Sequence, residues 1–125
     1  MMTLRRLEIL QWTGLLLGAL AFAAAHVVGY GITEAECNSA GLRWGISNDA
    51  WEVIALGVTA ALVVVSGLAA ATVVVRTREE SYESPPPPGR IRFLAIAALA
   101  ANLIFLTIIV LDALGSIVNV ACRQG

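Results

Sequence analysis

His26 is the only histidine of the chain, and Tyr30, Glu34 and Cys37 follow it in the stretch HVVGYGITEAEC. An imidazole, a phenol, a carboxylate and a thiol so close together invite a metal, haem or proton-transfer reading. The ligand arithmetic disfavours the first two. A haem held by two side chains needs a second histidine or a methionine, and the methionines are Met1 and Met2, at the far end of the same run. Zinc or copper needs three or four nitrogen, sulfur or carboxylate ligands, and one histidine with Cys37, Glu34 and Glu36 is a poor set. No metal or cofactor is therefore expected on this chain alone. Spacing suggests a plainer role. On a helix, residues at i, i+4 and i+8 stand one above another, so His26, Tyr30 and Glu34 would form one polar stripe, provided the helix continues through Gly29 and Gly31.

A second polar group lies in IIVLDALGSIVN, where Asp112 interrupts an apolar run. At 100° per residue Ser116 and Asn119 share its face, while Asn102 falls about 80° away. An ionisable group at membrane depth is costly and needs a partner. His26, at comparable depth, is the expected one in this chain, and a neighbouring protein is the other candidate.

The elements that position these groups follow from composition. The hydrophobic fraction is 58%, the charged fraction 14% and the mean hydropathy +0.81, outside the range of soluble domains. Three apolar runs, about 9–30, 51–75 and 93–120, are each long enough to cross a hydrocarbon core of about 30 Å. In lipid the backbone must satisfy its own hydrogen bonds, so the valine-rich patches 63–65 and 73–75 should be helical despite their strand propensity. The expected fold is an all-α membrane protein, a single domain over 1–125 with three transmembrane helices. A secretory signal peptide is the rival reading of the first run, and that run is long for one.

All eight basic residues are arginines. Arg5 and Arg6 precede the first run, and Arg76, Arg78, Arg90 and Arg92 flank the connector between the second and third. The 31–50 loop holds Arg43 against Glu34, Glu36 and Asp49. By the positive-inside rule the N-terminus and the 76–92 loop are cytoplasmic, and the 31–50 loop and C-terminus periplasmic or extracellular. That places Cys37 and Cys122 on one oxidising face, where a disulfide would tie the exits of helices one and three. The cytoplasmic loop RTREESYESPPPPGRIR reads as an extended polyproline II connector over Pro85–Pro88 and Gly89, a spacer or a docking strip.

Gly14 and Gly18 form a GxxxG in the first helix, and Gly57 with Ala61 and Ser66 with Ala70 give similar spacings in the second. Such pairs let another backbone approach closely. Leu103, Ile104, Leu106, Ile108, Ile109 and Val110 are bulky and suit lipid. Neither a Walker motif, a dinucleotide fingerprint, CxxC, HExxH nor Gly-x-Ser-x-Gly occurs, so no enzyme activity is expected of the chain alone.

The pattern His26-x3-Tyr30-x3-Glu34-x2-Cys37, with Trp51 opening the second run and Cys122 after the third, resembles small three-helix membrane proteins. Those are encoded beside haem-copper terminal oxidase subunits in bacterial respiratory gene clusters. The resemblance spans most of the chain, departing at IVNVAC, where a proline would precede the final cysteine. It implies an accessory subunit or assembly partner of cytochrome c oxidase or a related complex in the bacterial inner (plasma) membrane. Haem and copper would belong to the larger integral membrane subunits beside it. Lipid is the other expected contact, and nucleic acid is not expected. Two other functions fit the residues: a small oligomeric transporter or channel using Asp112, and an oxidase assembly factor using its cysteines.

Overall fold

The computed structural model describes residues 2–37, 48–81 and 83–118. They form three helices, α1 Leu4–Cys37, α2 Asn48–Arg76 and α3 Pro88–Val118, running up, down and up. All three are long and apolar enough to cross a membrane. With 34, 29 and 31 residues they outreach the apolar runs that predict them, and at roughly 1.5 Å per residue they measure roughly 45 to 50 Å. Each is longer than a hydrocarbon core of about 30 Å requires, and an intact helix satisfies its backbone in a headgroup region as well as in lipid. α1 passes through Gly29 and Gly31 without a break.

The connector differs from the extended strip expected of it. Pro88 starts α3 and Gly89 is buried within it. A proline costs nothing in the first turn, where its missing N–H would have had no helical partner. The remaining connector is built of turns, with Glu80 N donating to Thr77 O at 3.0 Å and Ser84 N to Ser81 O at 3.0 Å. Its flanking arginines have local partners. Arg92 donates to Thr77 O at 2.6 Å, capping carbonyls at the end of α2, and Arg90 pairs with Glu8 of α1 at 3.0 Å. A cation at a helix C-terminus also meets the negative end of the helix dipole.

Packing is tightest at this end. Val73, Ile91 and Ala95 form a fully buried cluster, with Leu7, Leu10 and Val74 packed against it. One turn higher, small residues let the helices touch. A Cβ on Gly14 would stand 2.9 Å from Ala70 Cβ and 3.0 Å from Ala70 N, and one on Gly18 would overlap Asn102 Oδ1. The GxxxG of α1 is thus used inside the chain, against α2 and α3. The pairs of α2 divide: Ser66 and Ala70 are fully buried, whereas Gly57 and Ala61 are exposed. In α3 Leu103, Ile104 and Val110 face outward as expected, but Ile109 is 4% exposed and belongs to the core.

Candidate functional site: a polar knot and an open cleft

Two polar layers lie along the bundle. The lower one is closed. Ser66 Oγ, from α2, donates to Gly14 O at 2.8 Å and accepts from Gly18 N at 3.1 Å, so one hydroxyl bridges two groups of the α1 backbone. From α3, Asn102 Nδ2 donates to the same Gly14 O and to Ala98 O, both at 2.8 Å. Two carbonyls thus fix the amide's orientation, because turning it would set oxygen against oxygen. Only glycines leave the α1 backbone open to both side chains. The layer is a three-helix knot in which α2 and α3 both bind the α1 backbone.

Ser66→Ala and Asn102→Ala should each destabilise the bundle by about 1 kcal/mol, the usual scale of a hydrogen bond between membrane helices. Chemical denaturation in mixed micelles, followed by circular dichroism, measures both. The angular argument that set Asn102 apart from the Asp112 stripe is correct. It did not reveal that Asn102 shares the inner face with Ala95 and Ala98, a polar residue on a stripe of alanines.

The upper layer is open. His26 Nε2 lies 3.5 Å from Asp112 Oδ2, with the two side chains 50% and 45% exposed. His26 Nδ1 lies 2.9 Å from Phe22 O, one turn down its own helix. A carbonyl only accepts, so that nitrogen carries hydrogen. The other ring nitrogen, Nε2, is the one that faces the Asp112 carboxyl. The contact is long and half exposed, so its coupling should be below about 1 kcal/mol. A double-mutant cycle with His26→Phe and Asp112→Asn, read by unfolding in micelles, tests that figure.

The pair forms part of the wall of a cleft of about 530 Å³ between the three helices. From α1 come His26, Tyr30 and Thr33, from α2 Trp51, Glu52 and Thr59, and from α3 Asp112 and Ser116. Ile109, Ala55 and Leu56 supply apolar wall. Among the described residues Trp51 Nε1 is buried and has no acceptor. Below His26, Phe22 stacks on Phe105 with ring centroids 4.7 Å apart.

Of the residues expected at this site, the structure brings together His26, Tyr30, Asp112 and Ser116. Glu34 is exposed one turn beyond and lines no part of the cleft. Asn119 lies outside the described residues. Cys37 ends α1 and is not a free thiol, and Cys122 lies outside the described residues. Gly14 and Gly18 belong to the knot below. Glu52 and Thr59 were not singled out from sequence, although with Ala55 they recur at i, i+3 and i+7 on one face of α2.

No protein-family model, curated protein or solved structure matches this chain.

Proposed function

We propose that this chain is an accessory, non-catalytic integral membrane subunit that packs beside larger subunits of a respiratory complex, of the haem-copper cytochrome c oxidase class. Its N-terminus and the 77–87 connector face the cytoplasm, in keeping with the arginines clustered there. The opposite end, with Cys37 and Cys122 joined in a disulfide, faces the periplasm of a bacterial inner membrane. Redox centres belong to the neighbour.

One observation carries this reading. Val53, Gly57, Ala61, Val64 and Leu68 follow one another on α2 at steps of three or four, and all are exposed. A Cβ on Gly57 would meet nothing within 4 Å. Glycine weakens a helix relative to alanine, and a membrane helix gains from it where another backbone comes close. Gly14 and Gly18 have such a neighbour inside the chain, and Gly57 has room for one from outside. The resemblance to oxidase-associated proteins supplies the class of partner.

Solubilising native membranes in mild detergent and following the chain on native gels tests the reading. Co-migration with a haem-containing oxidase is the expected result, and solitary migration would contradict it. The transporter reading rests on Asp112 as a proton or cation site. Delivery by the cysteines needs thiols, and Cys37 is not a free one.

A further inference from the structure

We propose that the groove between α1 and α2, on the side away from α3, holds one anionic phospholipid by its phosphate, clamped between Arg6 and Arg76. The site stands whichever complex the chain joins. Level, side and unpaired charge lead to it.

The level follows from how α1 and α2 pack. Gly14 stands against Ala70 and Gly18 against Ser66, so each step of four residues down α1 is a step of four up α2. Two further steps toward the start of α1 set Arg6 opposite Arg78, two residues or roughly 3 Å from the level of Arg76. Arg6 is the third residue of α1 and Arg76 the last of α2. Both are exposed, and both lie just outside the apolar runs, where the charged residues of a spanning helix belong.

The side follows from which residues meet α3. Gly14 meets α2, whereas Gly18, Phe22 and His26 meet Asn102, Phe105 and Asp112 of α3. At 100° per residue those three lie about 40°, 80° and 120° round from Gly14 in one sense, and Arg6 about 80° round in the other. On α2, Ser66 meets α1, and Gly67, about 100° on, meets Asn102. Arg76 lies about 80° from Ser66 in the opposite sense. The two arginines therefore flank the same α1–α2 groove. Leu17, Leu20, Val65 and Ala69 turn to that side as well. Leu20 and Val65 are 65% and 52% exposed, and Ala69 lies between the helices at 9%, so an acyl chain has an apolar track to follow. The α2 stripe around Gly57 is about 100° further round from Arg76, and a lipid here leaves it open to a partner.

Charge selects the head. Neither guanidinium has a hydrogen-bond or ion-pair partner among the described residues. The carboxylates at this end are engaged or elsewhere. Glu8 pairs with Arg90 of α3 at 3.0 Å, and Glu79 lies 4.0 Å from Arg78. Glu80 and Glu83 belong to the connector leading to α3. No residue outside the described ones is an aspartate or a glutamate, so none of those can supply the missing side-chain carboxylate. Guanidinium forks match phosphate oxygens in pairs. A head whose phosphate carries no ammonium of its own leaves its charge to them.

The test is native mass spectrometry of the full chain in maltoside micelles, with dioleoyl phosphatidylglycerol or dioleoyl phosphatidylcholine added. One phosphatidylglycerol per chain is expected, retained at concentrations at least tenfold lower than phosphatidylcholine. Arg6→Gln and Arg76→Gln should each weaken it about tenfold. Arg5→Gln, on the opposite face of α1 from Gly14, should change it less than about twofold. Circular dichroism should show the same helix content in all three variants. Equal retention of the two lipids would overturn the anionic head. A loss with Arg5→Gln as large as with the other two would mean diffuse attraction to a positive end and would overturn the site. Displacement of the lipid by inorganic phosphate alone would make the pair a site for the free ion and overturn the lipid. None of these outcomes depends on co-migration with an oxidase.

Discussion

Gly18→Leu should leave the chain unable to hold its three-helix packing. A side chain at residue 18 must enter the space of Asn102 Oδ1, and Ser66 Oγ closes the other side at 3.0 Å. Neither neighbour is a flexible tip free to swing away. Asn102 is held by two hydrogen bonds of 2.8 Å, and Ser66 is held against Gly14 O. Overpacking a well-filled core costs about 1–3 kcal/mol. Here the two layer hydrogen bonds are lost with it, about 1 kcal/mol each. A loss of roughly 3 kcal/mol or more is expected, seen as a large drop in the denaturant midpoint in mixed micelles. Gly14→Leu should behave alike, because Ala70 backbone atoms stand 3.0 and 3.1 Å from the would-be Cβ. Survival of either variant at wild-type stability would mean that the helices do not cross at these glycines.

Gly57→Leu should do the reverse. It meets no atom of this chain and replaces glycine by a better helix former, so the isolated bundle should be unchanged or more stable by up to about 1 kcal/mol. Co-migration with the larger complex should fall at least tenfold, because a leucine there holds the partner helix away. Measuring monomer unfolding and complex recovery on the same preparations separates the effects. Loss of both together would place Gly57 in the fold instead of at an interface.

These three glycine variants also mark how far the sequence reaches. The three spans were legible because a bilayer leaves an apolar run few options. The His26–Asp112 partnership was legible too, because two ionisable groups at similar depth have few other places to go. Which small residues face inward was not. Lipid is as apolar as a helix interface, so a membrane helix shows its inner side by size and shape, with little contrast in polarity. GxxxG in α1 and Gly57-x3-Ala61 in α2 look alike in one dimension, yet one is closed by Ala70 and Asn102 and the other is open. Asn102 was hidden for the same reason. Its role depends on Gly14 and Ser66, distant in sequence. The proline run misled because four prolines suggest an extended strip, while Pro88 alone suits a first helical turn and Arg92 draws the start of α3 to the end of α2. Trp51, Glu52 and Thr59 became part of the cleft only when α2 was laid beside His26 and Asp112.

The central claim is that the outward stripe of α2 meets another membrane protein. A photo-crosslinking residue placed at Ala61 in native membranes tests it most directly, with the same residue at Leu103 on the lipid-facing side of α3 as control. The account predicts that Ala61 yields a discrete adduct with a larger integral membrane subunit of a haem-containing complex, and that Leu103 yields lipid adducts. Lipid adducts alone from both positions would contradict it.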